Sequence, residues 1–215
     1  MLTITTPAED LQLLTPEQLR VAAGLDEDDE SQDDALEAMG LRIAAEICTI
    51  CNVARGAGGE ATLRQETLTE TLRSHRGRDS LRLSRRHDVE IVSIAVDEEA
   101  LAEGDFEVDP ETGLISRISD DRQSRWTFST ATVVYEAGFE EVPADLAGVA
   151  SDIMRIRLSE GGRDPLVRSE TNEVPDVLSQ RKDYWVGAVP GSAAAGGIPP
   201  DIAARLTRYV NAIVG

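Results

Sequence analysis

The hydrophobic residues of this chain change their spacing twice, from helical to strand-like and back, and this pattern limits the folds it can adopt. From about residue 32 to residue 55, apolar residues recur every three or four positions, as they do on one face of a helix. They are Leu36, Met39, Ile43, Ile47 and Ile50. The same spacing returns after residue 137, at Val142, Leu146, Val149, Ile153 and Ile156. The two stripes predict two amphipathic helices that pack against each other.

The middle of the chain, residues 61–137, is typical of short β-strands. Segments such as DVEIVSIAV and TFSTATVVYEAG are rich in β-branched residues and are separated by turn-forming residues. The clearest turn is VDPETGLI, where Asp109, Pro110 and Gly113 suit a tight reversal between two strands. We therefore predict a β-rich insertion between helical parts of the chain.

The last part of the chain holds few periodic signals until its final helix. The piece VGAVPGSAAAGGIPP has the composition of a flexible tether. The segment PPDIAARLTRYVNAIVG that follows predicts a helix with Ile202, Leu206, Tyr209 and Ile213 on one face. Such a tethered helix either folds back on its own domain or docks on a partner.

These patterns predict a mainly α protein, a small helical bundle with an inserted β-rich hairpin region and a tethered C-terminal helix. The first bundle helix opens with a capping box in TPEQL. Four parts are predicted: N-terminal bundle helices in residues 1–60, the β-rich insertion in 61–137, a core bundle helix in 138–160 and an extended arm with its terminal helix in 161–215.

The charge balance argues against several functions. The chain has 40 acidic and 21 basic residues, for a net charge of −19, and the excess is concentrated in its first 60 residues. Such a surface repels nucleic acid, so we do not expect a protein that recognises a DNA sequence, whereas a wall past which DNA slides would suit this charge. Because no apolar run is long enough to span a membrane and the N-terminus lacks signal-peptide features, we expect a cytoplasmic protein.

Catalytic motifs are scarce. The only histidines are His75 and His87, no GxSxG motif is present, and GAGG lacks the context of a dinucleotide site. The strand-to-helix joint EAGFEEVPADL has no Ser or Cys at its tip to act as a nucleophile. Its Gly138 can adopt a positive φ and its Pro143 suits a first helical turn, so we interpret the joint as architecture. We expect no cofactor and no enzyme activity; an enzyme with a dispersed carboxylate site is a less favoured alternative.

Two cysteines, Cys48 and Cys51, form CTIC within the second predicted helix. A redox pair belongs at a helix N-terminus, and a metal site usually needs a second pair. Neither condition holds here, so we interpret both as small apolar residues in a packed helix.

The acidic run DEDDESQDDALE matches part of the pattern of a calcium-binding loop. Its carboxylates match loop positions one, three, five, nine and twelve: Asp26, Asp28, Glu30, Asp34 and Glu37. Ser31 stands where such a loop requires glycine, however, and no apolar residue stands at position eight. We therefore predict a solvated loop and no metal site.

An arginine-rich stretch lies between residues 73 and 87. Its arginines are Arg73, Arg76, Arg78, Arg82, Arg85 and Arg86. They would either contact phosphates or an acidic protein surface, or form a solvated edge that prevents wrong strand pairing. Because the chain is so acidic, contact with an acidic surface, such as a second copy of the chain, is our preferred interpretation.

Four short motifs occur in a fixed order along the chain. A D-x-x-T-G-L turn at residues 109–114 precedes a strand ending in Y-x-A-G at 135–138. A V-P-x-D-L helix start follows at 142–146, and a P-x-x-I helix start at 199–202. In this order the chain resembles the head–tail connector (adaptor) proteins of long-tailed bacteriophages and phage-like gene transfer particles.

The resemblance implies a structural virion protein at the head–tail junction, made in the cytoplasm of a bacterial host. Family members form a homo-oligomeric ring, a dodecamer in assembled particles, beneath the portal protein. The ring extends the channel through which DNA leaves the head, without sequence recognition and without a membrane, and binds a stopper or tail-completion protein. Another head-completion or tail-end structural protein is the alternative.

Three sets of candidate contact residues result, two from the resemblance and one from the arginine-rich stretch itself. Family members reach the portal with their C-terminal segment, which gives the candidate portal contacts Tyr184, Trp185, Ile202, Leu206 and Tyr209. The six arginines of residues 73–87 are the candidate subunit contacts. The candidate acidic lumen of the channel consists of Asp26, Glu27, Asp28, Asp29, Glu30, Asp33 and Asp34.

Overall fold

A computed structural model of the chain describes residues 1–74, 76–161, 169–174, 178–183 and 198–211. Its helices are α1 (Pro16–Ala23), α2 (Asp33–Ile50), α3 (Ala144–Gly161) and α4 (Pro200–Arg205). Its strands are β1 (Leu2–Thr6), β2 (Glu66–Arg73), β3 (Ser80–Arg82), β4 (Glu90–Val96), β5 (Glu99–Ala100), β6 (Phe106–Asp109), β7 (Leu114–Ser119), β8 (Arg122–Ser124), β9 (Thr130–Ala137), β10 (Ser169–Val174) and β11 (Leu178–Asp183). Among these residues, no helix has the length and apolar character needed to cross a lipid bilayer.

The apolar stripes of α2 and α3 meet in one helical core, as the sequence predicted. Ile43 and Ile47 of α2 are buried in the same cluster as Leu146 and Ile153 of α3. Helix α1 contacts both of these helices. The three helices therefore bury their apolar faces together, which is the main source of stability for helices of this length.

Helix α1 begins and ends at residues that carry the expected signals. The Thr15 hydroxyl accepts a hydrogen bond from the Gln18 N–H, and the Gln18 Oε1 accepts one from the Thr15 N–H, which completes the capping box. Gly24 ends the helix with a φ of +80°. Helix α2 stops at Ile50, earlier than predicted, where Asn52 adopts a left-handed φ of +51°.

The strands form two antiparallel sheets that share a second hydrophobic core. The first sheet has the order β1-β2-β9-β4-β5; in the second, β7 lies between β6 and β3 and also pairs with β8. Along β9, Ala131, Val133 and Tyr135 point to one buried face, as period-two alternation requires. They belong to the same buried cluster as Ile115 of β7 and Trp126, so both sheets contribute to this core. Strands β10 and β11 form a separate hairpin.

The prediction of a mainly α protein is wrong. Among the described residues, about 33% are helical and 30% are strand, in multi-strand antiparallel sheets. The strand-rich middle is more than an insertion in a helical bundle, because it has its own hydrophobic core with large buried residues such as Trp126 and Tyr135. The fold is α+β, with helices and strands segregated into two adjoining cores.

Strand β1 was not predicted, and it brings the N-terminus into the first sheet. Ile4 pairs with Leu68 of β2, and the terminal amino group of Met1 donates to the Thr71 carbonyl at 2.7 Å. The Ile4 N–H also donates to the Ala57 carbonyl at 2.9 Å. The first six residues therefore belong with the strands.

The joint between β9 and α3 requires its glycine. Gly138 has a φ of +102°, and a Cβ at this position would lie 2.3 Å from the Arg64 carbonyl oxygen. The Gly138 N–H donates to the His87 carbonyl at 2.9 Å, so the backbone is held closely on both sides. The Pro143 carbonyl accepts the first α3 hydrogen bond, from Ala147. This geometry confirms that the joint turns the chain from the sheet into the helical core.

Candidate assembly surfaces

The acidic loop, residues 26–34, leads from α1 into the first turn of α2 and is held by one arginine. Arg20 is only 7% exposed. Its Nε and one terminal nitrogen donate to the two carboxylate oxygens of Asp33, at 2.8 and 2.5 Å. Its other terminal nitrogen donates to the Glu27 carbonyl at 2.6 Å. This two-point contact fixes the loop, and the hydrogen bond from Arg20 lowers the pKa of Asp33.

Several carboxylates of the acidic loop remain free for other partners. Glu30 lies 3.7 Å from Arg20, and Asp29 accepts a hydrogen bond from the Ser31 N–H. Within the described residues, four side chains of the loop have no ion pair or hydrogen bond: Asp26, Glu27, Asp28 and Asp34. The structure thus supplies a dense group of unpaired negative charges at the N-terminal end of α2. In the described part of the chain, no three His, Cys, Asp or Glu side chains come together as a metal site would need.

The arginine stretch divides into exposed and interior members. Four of its arginines are exposed and form no ion pair within the described residues: Arg73, Arg76, Arg78 and Arg82. Arg86 is half-buried, and one terminal nitrogen donates to the Arg208 carbonyl. Arg85, in contrast, is only 3% exposed and does not present its side chain at the surface.

Arg85 joins the helical core to the first sheet. Its Nε donates to the Ala54 carbonyl at 2.6 Å, just beyond α2, and a terminal nitrogen donates to the Thr62 carbonyl before β2. Its second terminal nitrogen lies 3.2 Å from the carboxylate of Glu66, which is 3% exposed. Burial lowers the pKa of Arg85 and raises that of Glu66, because each charge is removed from water. The pair is a buried link between the two cores.

A second buried carboxylate, Glu70, lies on the same face of β2. It accepts hydrogen bonds from the Tyr135 hydroxyl at 3.0 Å and from the Ser84 N–H and hydroxyl at 2.9 and 2.5 Å. Burial and the Glu70 charge raise the pKa of Tyr135, so the phenol stays protonated and keeps donating. Neither glutamate was predicted as a buried residue from the sequence. The alternation of ETLTETLR would have placed Glu66, Leu68 and Glu70 on one face.

The C-terminal segment folds back on its own chain, one of the two alternatives that the sequence left open. Ile202, Leu206 and Tyr209 are buried in the helical core with α2 and α3. Helix α4 ends at Arg205, and a short 3-10 turn follows at Thr207–Tyr209, so the helix is shorter than predicted.

Polar contacts hold the C-terminal segment in place. The Tyr209 hydroxyl donates to Asp145 of α3 at 2.7 Å, and Arg208 lies 3.0 Å from the same carboxylate. The Asn211 N–H donates to the Cys51 carbonyl at 2.7 Å. Hydrogen bonding from Tyr209 lowers the pKa of Asp145, and burial raises that of Tyr209.

The candidate portal contacts are therefore divided between two environments. Ile202, Leu206 and Tyr209 face the chain's own core, so a portal contact through them requires the segment to leave this position. Tyr184 and Trp185 lie outside the described residues. A portal contact through any of the five stays a prediction.

His87 is buried beside the C-terminal segment. Its ring stacks on Phe139 at 5.2 Å between centroids and meets the Tyr209 ring edge-on at 5.5 Å. Its Nε2 lies 3.3 Å from the Tyr209 carbonyl oxygen. Burial lowers the pKa of His87, so the ring is neutral at pH 7. The other histidine, His75, lies outside the described residues.

The two cysteines are packed inside the helical core, as predicted. Cys48 and Cys51 are at most 3% exposed and form no disulfide. Burial raises the pKa of Cys48 to about 11 and that of Cys51 to about 12. Both thiols are therefore protonated and unreactive near neutral pH.

No protein-family model matches the chain, and no curated protein matches it. Two solved structures align with it over its whole length. A chain of "Neck of empty GTA particle computed with C6 symmetry" covers 100% of this chain and 97% of its own, with a TM-score of 0.56 and 16% identity. A chain of "Neck of native GTA particle computed with C12 symmetry" gives 100% and 97% coverage, a TM-score of 0.51 and 17% identity.

These comparisons concern the fold. The structural neighbours of the chain come from the necks of gene transfer agent (GTA) particles. The resemblance to head–tail connector proteins that the sequence motifs indicated is confirmed at the level of the fold.

Proposed function

We propose that this chain is a structural protein of the neck of a tailed phage or a gene transfer particle. The observation that carries the proposal is a fold shared with chains of GTA necks over 100% of this chain and 97% of theirs. The alignment includes both cores, which is more than a common helical hairpin or sheet motif would give.

In this proposal, copies of the chain form a homo-oligomeric ring of twelve. The two particle necks that contain the structural neighbours were computed with C6 and C12 symmetry, which suits a chain repeated around an axis. Side-by-side contacts that are weak singly become strong when all copies sit on one template, because each added contact is intramolecular. The portal protein would be that template, and a stopper or tail-completion protein would bind the opposite side.

The charge of the chain suits a wall of a DNA channel. With a net charge of −19, a ring of such chains presents a surface that DNA does not adhere to. The acidic loop, with its four free carboxylates, is the proposed lining of the channel. Passage of DNA would then depend on repulsion and not on sequence.

The test is negative-stain imaging of the purified chain mixed with the portal protein encoded in the same genome. The expected result is a collar of added density on the narrow outer end of the portal, with the symmetry of the ring visible in end views. A portal from an unrelated phage is the control and should stay bare. If the cognate portal also stays bare while this chain remains in solution, the neck function is wrong.

A further inference from the structure

A small polar cleft lies where the arginine stretch meets the C-terminal segment. It has a volume of about 130 Å³ and is lined by Arg82, Arg86, Ser84, Thr112 and Asn211, among others. The volume suits a single oxyanion group at the end of a side chain and is too small for a continuous strand of polymer. The cleft therefore has the size and the charge of a carboxylate site.

The two guanidinium groups of this cleft form no ion pair within the described residues, although one terminal nitrogen of Arg86 donates to the Arg208 carbonyl. Arg82 is exposed and has no ion pair there. The Nε of Arg86 is buried without a hydrogen-bond partner. Asn211 is 5% exposed, and its Oδ1 also lacks a partner. A half-turn of that amide would present its NH2 group in place of the oxygen. Unpaired buried polar groups are costly, so a ligand that satisfies them gains free energy.

Two acidic residues, Asp109 and Glu111, belong to the turn that supplies Thr112 to the cleft. Asp109 accepts hydrogen bonds from the Thr112 hydroxyl and from two backbone N–H groups of its own turn. Glu111 lies 3.9 Å from the Nδ1 of His87. Neither Asp109 nor Glu111 pairs with Arg82 or Arg86. The anion that fits this cleft is therefore neither of these two carboxylates.

The free carboxylates of the acidic loop lie at the other end of α2. Helix α2 has 18 residues, which at 1.5 Å per residue spans about 27 Å. The acidic loop ends in the first turn of α2, whereas Asn211 of the cleft is hydrogen-bonded to Cys51, one residue beyond the last residue of this helix. The two groups therefore do not meet within one chain.

We propose that the cleft at Arg82 and Arg86 binds a carboxylate from the acidic loop of a second copy of this chain. Guanidinium groups without an ion pair at one end of α2 and unpaired carboxylates at the other are complementary, and Arg–carboxylate pairs are strong and directional. The contact joins different surfaces of the two copies, so each copy can bind the next one in the same way. The copies close into a ring when the rotation from one copy to the next divides a full turn evenly. This inference rests on the proposed neck function and specifies its subunit contact.

A carboxylate from protein fits this cleft better than a phosphate of DNA. The chain carries a net charge of −19, and two acidic residues flank the cleft, so a DNA backbone would bring dense negative charge against an acidic surface. The acidic loop has four free carboxylates. One can enter the cleft of a neighbour while the others face the channel.

Cysteine crosslinking of the full chain tests this contact. Gln32→Cys places a thiol beside the acidic loop, and Glu111→Cys places one beside the cleft, and both positions are exposed. A disulfide needs Cα atoms about 4.4–6.8 Å apart, so the distance along α2 forbids one within a single chain. The buried native cysteines, Cys48 and Cys51, should form no crosslinks, and the unmodified chain under the same oxidation is the control for this.

With the portal present, the double variant should give a ladder of covalent oligomers under mild oxidation. Each single variant should give dimers at most. Adding Arg82→Glu to the double variant should slow crosslinking at least tenfold. Arg76→Glu is the matched control, because it makes the same charge change at an exposed, unpaired arginine outside the cleft, and it should change the rate less than twofold.

Three results would overturn the contact. Equal slowing by both charge reversals would mean that only long-range charge matters. An unchanged ladder together with weaker DNA binding in Arg82→Glu would make the cleft a phosphate site. No ladder on a portal that still carries a collar would remove this contact but leave the neck function intact, whereas absence of the collar itself would refute the neck function.

Discussion

His87 shows at the scale of one residue how burial creates a pH dependence. Its pKa is lowered mainly by burial, with a further contribution from Arg86, while the Tyr209 carbonyl and Glu111 act in the opposite direction. The folded chain therefore binds fewer protons at this ring than the unfolded chain does. The free energy of unfolding should accordingly be largest above the ordinary histidine pKa of 6.5 and should fall as the pH decreases below it.

We predict that His87→Asn removes most of the loss of stability between pH 7 and pH 5. Each unit by which the pKa is depressed corresponds to about 1.4 kcal/mol. Asparagine tolerates the left-handed backbone at this position, where φ is +75°. Urea unfolding at the two pH values measures the effect, and His75→Asn is the control that should retain the pH dependence. A pH dependence equal to that of the wild type in His87→Asn would contradict the prediction.

At the scale of elements, the joint between β9 and α3 connects the two cores through one obligatory glycine. We predict that Gly138→Ala destabilises the chain by at least about 2 kcal/mol, because the added Cβ meets the Arg64 carbonyl at 2.3 Å and a positive φ is strained for alanine. Gly104→Ala is the matched control, since a Cβ there has no atom within 4 Å. Thermal or urea unfolding should show a large loss for the first substitution and almost none for the second. Similar losses for both would mean that the joint relaxes.

The elements that the sequence could predict are those with local signals. The stripes of α2 and α3 and the turn at residues 109–114 follow from periodicity and turn chemistry within a few residues. Strand β1 escaped prediction because it has five residues and pairs with a strand more than 60 positions away. The return of α4 to the helical core likewise depends on a tertiary contact, which an amphipathic pattern alone does not distinguish from docking on a partner.

The candidate contact residues illustrate the same limit. Arg82 and Arg85 lie in one arginine-rich stretch and look alike in the sequence. Arg85 differs from Arg82 in its buried partners, which are the Glu66 carboxylate and the Ala54 and Thr62 carbonyls. Glutamate is so seldom buried without a partner that its sequence position alone predicts an exposed side chain. The grouping of six arginines as subunit contacts therefore mixed interior and surface residues.

At the scale of the whole molecule, the Arg85–Glu66 pair is a buried link between the two cores. Both side chains are at most 4% exposed and 3.2 Å apart, and Arg85 also binds two carbonyls of the segments that connect the cores. Removing one partner of such a pair leaves an uncompensated charge in the interior. This uncompensated charge would lie at the boundary between the cores, where neither hydrophobic cluster can offset its free-energy cost.

We predict that Arg85→Met lowers the free energy of unfolding by about 3–5 kcal/mol, measured by urea denaturation followed with both far-UV circular dichroism and tryptophan fluorescence. With Trp185→Phe as the background for all variants, Trp126 in the sheet core is the only tryptophan and the helices dominate the dichroism, so separate transitions for the two signals would show that the cores have uncoupled. Arg82→Met, at an exposed and unpaired arginine, is the control and should change stability by less than about 0.5 kcal/mol.

The double variant Arg85→Met, Glu66→Leu should recover much of the loss, because it also removes the buried carboxylate that has lost its partner. A double variant as unstable as Arg85→Met alone would mean that the hydrogen bonds from Arg85 to the Ala54 and Thr62 carbonyls, and not the ion pair, hold the two cores together.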